Sequence, residues 1–261
     1  MPHLNPQKRL DLLVFILLIL GSALASLSLK IDILFSILLY LGLPSFFLCL
    51  REKKNYIKIL AGSMILGVLL GMAYSFLAES AYAWKVHFSF FPFNHVVMGL
   101  TPFGDFIWAF LILFSTITFY QHFLDHEKAK LSKYATFGLG VGLMTFALVL
   151  WLLTMEPEGF AKIRYGYLIL GALTVTPLLV LFFTGAKFFY KVLFLSVFFF
   201  FLNLVFEITA LNANQWSFPG EYIGSVWILG TYFPIEEFIF WIVLAAPSLV
   251  VCYEFLIDDG K

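Results

Sequence analysis

Long apolar stretches, separated by short polar connections, follow one another along the whole chain. Eight of these stretches reach about 18 to 25 residues, the length at which an α-helix crosses the hydrocarbon core of a bilayer. The pattern therefore predicts an all-α integral membrane protein with about eight transmembrane helices. The predicted spans are 12–29, 32–50, 57–78, 100–122, 134–153, 165–184, 188–210 and 227–256.

An internal repeat relates the two halves of the chain. A shift of 132 residues brings rare residues into register and superposes the second, third and fourth spans on the sixth, seventh and eighth. Because each half has an even number of helices, the halves are expected to run parallel, related by an axis along the membrane normal. We therefore predict two four-helix repeats, 1–130 and 131–261, packed as one compact bundle. The matched pairs are Trp84 with Trp216, Pro102 with Pro234, Asp105 with Glu237, Phe106 with Phe238 and Ile107 with Ile239.

The distribution of basic residues predicts the orientation. With the amino terminus in the cytoplasm, twelve of the 16 Lys and Arg residues fall on the cytoplasmic side, an asymmetry typical of multi-pass proteins. We therefore predict a multi-pass protein of the cell membrane with both termini cytoplasmic. The formal net charge is zero and there is no basic run, so nucleic-acid binding is not expected. The lipid bilayer is the expected partner, and the sequence leaves the oligomeric state open.

The composition would suit an apolar ligand. The chain is 62% hydrophobic and only 12% charged, and its 33 Phe residues help to bring the aromatic content to 20%. So many aromatic side chains fit a long polyene, although lipid contact and helix packing explain them equally well. Cys49 and Cys252 lie far apart without CxxC spacing, so neither a disulfide framework nor a zinc site is expected.

Two adjacent acids, Glu236 and Glu237, interrupt the last apolar stretch. An ionisable side chain at bilayer depth costs about 3 kcal/mol or more on insertion scales, so this pair is expected to be functional. Pro234 suits the first turn of a helix, which would place the two acids at the second and third helical positions. Adjacent helical residues point about 100° apart. One glutamic acid should therefore donate a proton from a buried site, and the other should orient or share it.

Two further acids are expected near the same end of the bundle. Asp105 lies early in the fourth span, and Glu207 lies late in the seventh, on the same helix face as Asn203. Glu79 also falls at this end of the bundle, where capping a helix end or pairing at the interface explains it better than catalysis.

One cluster of metal-ligand side chains lies at the cytoplasmic end of the fourth span. Its members are close in sequence, as they would be around a metal ion. We interpret the cluster as a solvated helix end, so no metal site is expected. The residues are His122, Asp125, His126 and Glu127.

Two stretches of the second half resemble a known family. Residues 216–224, WSFPGEYIG, and residues 233–238, FPIEEF, are similar to the signature of the lycopene cyclase domain. Eight spans in two halves resemble the fused, two-repeat form of the heterodimeric-type carotenoid cyclases, so the resemblance covers essentially the whole chain. The first half keeps only Pro102 and Asp105 of the acidic motif.

The resemblance implies cyclisation of the acyclic ends of lycopene or a related carotenoid, with β-carotene as the expected product. An acid would protonate the terminal double bond, the neighbouring alkene would attack the tertiary cation, and loss of a ring proton would end the isomerisation. No metal or other cofactor is expected, although the sequence leaves open a flavin in a non-redox role. The implied roles are acid for Glu236 or Glu237, base for Asp105 or Glu207, and substrate contact for Trp84, Trp108, Trp216, Trp241, Phe238 and Pro234.

Two other functions are left open by the sequence. A carotenoid hydratase-like enzyme would use the same buried acid to deliver water to the cation, and the pigment formed would distinguish it from a cyclase. A small proton-coupled transporter would use the acids to couple protons to a substrate, but the spans lack the several broken helices usual at such sites. The ring type, the number of ends cyclised and the length of polyene accepted are also open.

Overall fold

The computed structural model describes residues 5–52, 55–97, 101–125, 133–156, 159, 163–184 and 186–258. The boundary predicted between the two repeats, at 130 and 131, lies outside these residues. So do six of the basic residues that predict the orientation, namely Lys53, Lys54, Lys128, Lys130, Lys162 and Lys261.

Four helices form the first half of the described chain. Asn5 and Asp32 fix where the first two begin, because the side chain of each accepts a backbone hydrogen bond of 2.8 Å from the first turn. The third helix is wound as π-helix over its middle part, Ser63–Leu70. The helices are α1 (Pro6–Leu29), α2 (Ile33–Arg51), α3 (56–80) and α4 (Phe103–Phe123).

Four more helices form the second half: α5 (Lys133–Met155), α6 (Gly166–Val175), α7 (Ala186–Asn212) and α8 (Glu237–Asp258). α6 continues as the 3₁₀-helix Thr176–Phe183, near whose start Pro177 cannot donate the backbone bond of a regular α-helix. α8 begins with π-helical turns over Glu237–Ala245, a distortion that is frequent at functional sites.

Five helices in the described part of the chain are long and apolar enough to cross a membrane, which is the pattern of a helical membrane protein. These five are α1, α2, α4, α7 and α8. The other three contain shorter apolar segments, Tyr56–Val68, Gly140–Val149 and Gly166–Phe182. Helix length and composition alone thus account for five of the eight predicted spans.

Short antiparallel ladders lie in the connections before α4 and before α8. The ladder between β5 and β6 is a hairpin, and its turn residues Leu229 and Gly230 have positive φ values of 49° and 79°. The predicted start of the eighth span, at 227, is therefore wrong, because residues 225–234 form this hairpin and helical backbone begins after Pro234. The paired strands are β1 (Lys85–Val86) with β4 (Trp216–Ser217), β2 (Val96–Val97) with β3 (Thr101–Pro102), and β5 (Ser225–Ile228) with β6 (Thr231–Pro234).

α4 lies at the centre of the bundle. It packs against α2, α3 and α8, and every residue in 111–123 is buried. The helices of the two halves also pack against one another, because α1 contacts α7 and α5 contacts α3. The large side chains of Phe15, Tyr40, Phe119 and Phe206 fill the core between these helices.

Both ends of the described chain lie at the same end of the bundle. Lys8 Nζ, near the start of α1, donates to the backbone carbonyl of His122, near the end of α4, at 2.6 Å. Gln121, also near the end of α4, donates to Asp258 at the end of α8 at 2.6 Å. We call this the termini end, and we call the opposite end, where β1 pairs with β4, the loop end.

Candidate active site

Glu237 begins α8 at the loop end of the bundle. Its side chain is buried and borders an internal cavity. The phenol of Tyr167, near the start of α6, donates a hydrogen bond to Glu237 Oε2. The carboxyl group is therefore turned into the bundle and held there by a neighbouring helix.

Glu207 on α7 lies beside Glu237. The two carboxyl groups interact directly, and Trp216 Nε1 donates to Glu207 Oε1 at 3.0 Å. Glu207 is 0% exposed and Glu237 is 5% exposed, so water screens the pair very little. Two negative charges in such a place would repel strongly, which makes the pair a candidate site for a shared proton.

Glu236 has different surroundings from its neighbour. Its Oε1 accepts the backbone N–H of Ile223 at 2.7 Å, which ties the start of α8 to the preceding loop. The side chain is buried but does not border the cavity. Of the two adjacent acids, Glu237 thus faces the cavity and Glu236 faces the loop.

Asp105 occupies the first turn of α4 and is 2% exposed. Thr101 Oγ1 donates to Asp105 Oδ2 at 2.7 Å, and Ser75 on α3 borders the same cavity as Asp105. Hydroxyl donors at a helix N-terminus stabilise a carboxylate. Asp105 is therefore a candidate proton acceptor.

One apolar cavity, which we call the chamber, joins the two halves at this site. Its volume is about 150 Å³, and Asp105 and Glu237 both border it. Trp108 from the first half lies 5.2 Å from Trp241 of the second half, and Trp84 lies 6.3 Å from Trp108, between ring centroids. All four predicted tryptophans, Trp84, Trp108, Trp216 and Trp241, line the chamber.

Two residues predicted to contact substrate lie elsewhere. Phe238 packs against Phe200 of α7, with ring centroids 5.9 Å apart, and Pro234 pairs with Ser225 in the hairpin. Neither residue borders the chamber. Pro234 ends β6 immediately before the helical backbone of α8, so it helps to set where that helix begins.

Sequence reasoning missed two residues of the site, Tyr167 and Ser75. Ser75 could have been found, because the 132-residue shift pairs it with Glu207. Tyr167 carries no such signal, since its counterpart in the first half is Phe35. Its importance comes only from the packing of α6 beside α8.

His122 is not solvated, contrary to the sequence prediction. Its side chain is 5% exposed, and its ring nitrogens lie 3.1 Å from Asp11 Oδ2 and 3.2 Å from Glu52 Oε2. These contacts join the termini ends of α1, α2 and α4, away from the chamber. His126 and Glu127 lie outside the described residues.

Three carboxyl groups also meet at the termini end. Asp125, Glu254 and Asp258 have oxygen atoms within 4.8 Å of one another, a spacing that would suit a metal ion. Lys58 Nζ lies 2.5 Å from Asp258 Oδ1 and already supplies a positive charge to this group. The absence of a metal site from this protein stays a prediction.

The chamber offers the groups that acid-catalysed chemistry on an alkene needs. The carboxyl pair is a candidate proton donor, Asp105 is a candidate acceptor, and tryptophan rings are the kind of side chain that stabilises a cation. No protein-family model, no curated protein and no solved structure matches this chain. The function of the site is therefore argued from its residues and their geometry.

Proposed function

We propose that this protein is a lycopene cyclase that converts the acyclic ends of lycopene, or of a related carotenoid, into rings. One observation carries the proposal: the buried carboxyl group of Glu237, with Glu207 beside it, borders an apolar chamber lined by four tryptophans. Buried acids are costly in a membrane, so a pair that faces an apolar cavity calls for a chemical role. Proton donation to an alkene is a role that needs both the acid and the dry surroundings.

Glu237 is the proposed proton donor. Its carboxyl O–H gives the proton to the terminal double bond of the polyene, which leaves a tertiary carbocation and a Glu237 carboxylate. The hydrogen bond from Tyr167 stabilises the carboxylate as it forms. Glu207 keeps its own proton throughout, so the pair never carries two negative charges, and Glu236 holds the start of α8 in position.

Ring closure follows on the aromatic side of the chamber. The neighbouring alkene donates its electron pair to the cation, the new carbon–carbon bond closes the ring, and the positive charge moves to a ring carbon. Trp108 and Trp241 come from opposite halves of the bundle, lie 5.2 Å apart between ring centroids and both line the chamber, so an end group there is close to both rings.

Asp105 is the proposed base. It takes a proton from a carbon next to the cation, and the electrons of that C–H bond form the ring double bond. One proton is added and one is lost, so the reaction is an isomerisation without a redox step. Transfer of the proton from Asp105 back to the carboxyl pair resets the site.

Equivalent helix contacts support the proposal that the two halves are repeats. A Cβ atom at Gly71 on α3 would lie 2.4 Å from Ala109 Cβ on α4. The positions 132 residues later are Asn203 on α7 and Trp241 on α8, and they also meet, with Asn203 Nδ2 at 3.3 Å from the Trp241 carbonyl. The same residue positions thus bring the last two helices of each half together.

The acids follow the same correspondence. Ser75 and Asp105 both border the chamber, and their counterparts are Glu207 and Glu237, which lie beside each other on α7 and α8. The first half therefore has a hydroxyl where the second half has a carboxyl group. This difference is consistent with two different roles, in which the second half supplies the proton donor and the first half supplies the base.

The β1–β4 ladder supports a two-fold axis along the membrane normal. It pairs Lys85 with Ser217, which are equivalent positions under the 132-residue shift. A residue that pairs antiparallel with its own counterpart lies on the axis that relates them. We therefore propose eight spans in two parallel halves, in the cell membrane, with both termini cytoplasmic as the basic residues indicate.

The test is to express the chain in a bacterium that accumulates lycopene and to identify the pigment by chromatography and mass spectrometry. A cyclic isomer of lycopene is expected from the parental chain and from the control Glu156→Gln, whose side chain is exposed just after α5. Glu237→Gln should leave lycopene unchanged at the same protein level. Hydrated pigment would point to the hydratase-like reaction, and unchanged lycopene with the parental chain would overturn the proposal.

A further inference from the structure

The chamber is elongated along the helices. Its lining begins at Asp105, Glu237 and Trp84 near the loop end and continues to Cys252 on α8. Cys252 lies fifteen residues beyond Glu237, which corresponds to about 20 Å along a helix. Residues of α3, α4 and α6 border the same cavity, so it follows the space between these helices and α8.

The acids stand at one end of this space only. In the described chain, the lining toward the termini end consists of apolar side chains such as Leu66, Leu113 and Leu249, with a few hydroxyl groups. Those hydroxyl groups donate to backbone carbonyls of the bundle: Ser248 Oγ on α8 donates to the Thr174 carbonyl on α6 at 2.6 Å. The long part of the chamber therefore presents apolar surface, and proton chemistry is confined to its loop end.

Two further hydroxyl groups of the lining are bound in the same way. Thr174 Oγ1 donates to the Leu170 carbonyl at 2.9 Å, and Thr176 Oγ1 donates to the Leu173 carbonyl at 2.7 Å. Neither hydroxyl group therefore needs a hydrogen-bond acceptor on a ligand. A polyene without polar atoms can thus lie along this part of the chamber without stripping a hydrogen bond from the protein.

The volume limits what can reach the acids. A cavity of about 150 Å³ holds one benzene-sized molecule in a well-studied engineered protein. The free space in this chamber is also about 150 Å³, far less than the volume of a whole carotenoid, so the two ends of one polyene cannot occupy it together. Because Asp105 and Glu237 border the same space, the two halves cannot each work on a separate end of one polyene.

We propose that the chain binds its polyene end-on in this single chamber, so that each binding event cyclises one end only. The inference rests on the proposed cyclase function and adds the manner of substrate binding. A product with two rings then requires that the one-ringed carotenoid leave, turn round and bind again. Each event adds one proton to the terminal double bond and removes one from the new ring, so no oxidant or reductant is consumed.

A time course with purified protein in liposomes tests the proposal. Lycopene is supplied in large molar excess over the protein, and the pigments are separated at intervals. One-ringed product should accumulate to many times the protein concentration before two-ringed product appears, or it should be the final product. Two-ringed product that appears without a lag, while one-ringed product never exceeds the protein concentration, would overturn the end-on inference and leave the cyclase function intact.

A pair of variants tests the position of the polyene. Leu249→Trp adds bulk to the apolar part of the chamber, far from the acids, and should lower the rate of lycopene conversion by about 10²-fold through displacement of the reacting end. Leu256→Trp places the same side chain on α8 at a half-exposed position that does not border the chamber, and should convert lycopene at the parental rate.

The outcomes separate the two levels of the proposal. Equal rates for Leu249→Trp and Leu256→Trp, at equal protein levels, would show that the polyene does not lie along the chamber. Failure of the parental chain to form any ring would refute both the cyclase function and the end-on inference. Rings without a released intermediate refute the end-on inference alone.

Discussion

Glu236 and Glu237 are neighbours in sequence with the same side chain, but their environments differ and we expect different roles for them. Glu237 faces the chamber, the phenol of Tyr167 and the carboxyl group of Glu207. Glu236 accepts a backbone hydrogen bond from Ile223 in the loop. Helical geometry predicts that the two diverge, but it could not say which one faces the substrate, because that depends on how α6 and α7 pack around α8.

Substitution of each glutamic acid by glutamine should separate these roles. Glu237→Gln should abolish ring formation, because the amide fills the space and has no acidic proton to give. Glu207→Gln should slow the reaction by about 10²-fold, since an amide can still contact Glu237 but cannot share its proton. Chromatography of the pigment, normalised to the amount of protein in the membrane, measures both effects.

Glu236→Gln serves as the matched comparison at the adjacent position. An amide oxygen can accept the Ile223 N–H as a carboxylate does, so ring formation per molecule should stay within a few-fold of the parental value. Loss of ring formation in Glu236→Gln together with parental activity in Glu237→Gln would reverse the assignment of the acid.

Asp105→Asn tests the role of the base. The amide still accepts the hydrogen bond from Thr101 but cannot take up a proton, so conversion should fall by about 10²-fold. Because both ends of the polyene use one chamber, the two cyclisation steps should slow together, with an unchanged ratio of one-ringed to two-ringed product at equal conversion. Selective loss of the second ring would assign Asp105 to one end of the substrate and contradict a shared chamber.

Among the elements, α3 and α4 depend on two glycines for their close approach. A Cβ atom at Gly67 would lie 2.9 Å from the Ala109 carbonyl oxygen, and one at Gly71 would lie 2.4 Å from Ala109 Cβ. Without a hydrophobic driving force between helices in lipid, such close packing is a main source of helix association. Asp105 lies one turn before Ala109, so this contact also sets the position of the proposed base.

Gly71→Val should therefore separate α3 from α4 and destabilise the bundle by about 1–3 kcal/mol. Gly138→Val on α5 is the control, because a Cβ atom there would meet nothing within 4 Å. The fraction of each protein that stays soluble in mild detergent after heating measures the difference. Equal thermal stability of the two variants would show that α3 and α4 do not rely on this contact.

The loop connections are the elements that the sequence predicted least well. Residues 225–234 are apolar enough to extend the eighth span, but the turn at Leu229 and Gly230 folds them into a hairpin before α8 begins. The hydroxyl of Tyr222 binds the Ala83 carbonyl at 2.9 Å and so joins the loop of the second half to that of the first. Burial raises the pKa of the Tyr222 phenol, which keeps the hydroxyl a donor at neutral pH.

At the scale of the whole molecule, the hydropathy pattern and the internal repeat predict much of the architecture. The apolar stretches predicted the long helices, and the 132-residue shift paired Asp105 with Glu237, which do border one cavity. The same shift pairs Ser75, which borders the chamber, with Glu207, which lies beside Glu237. Three features could not be predicted, because each depends on which helices become neighbours in space. They are the contact of Tyr167 with Glu237, the position of Phe238 outside the chamber and the burial of His122.

The topology gives a prediction for the complete chain. The contacts of Lys8 with the end of α4, and of Gln121 with Asp258, bring both ends of the described chain to one end of the bundle. Reporter fusions at residue 5 and after residue 258 should therefore report the same side, predicted to be the cytoplasm, and fusions in the loop before β1 should report the opposite side. Fusions at the two ends that report different sides would contradict an even number of spans.

The proton donor itself can be followed by isotope labelling. Purified protein in liposomes is equilibrated in D₂O until its buried carboxyl groups have exchanged, and then converts less than one equivalent of lycopene in a single turnover. Donation of a proton from the Glu207–Glu237 pair predicts one deuterium atom in each ring formed, with no incorporation into unreacted lycopene and no product from Glu237→Gln. Rings that form without deuterium, or that form at the parental rate in Glu237→Gln, would contradict acid catalysis by this pair.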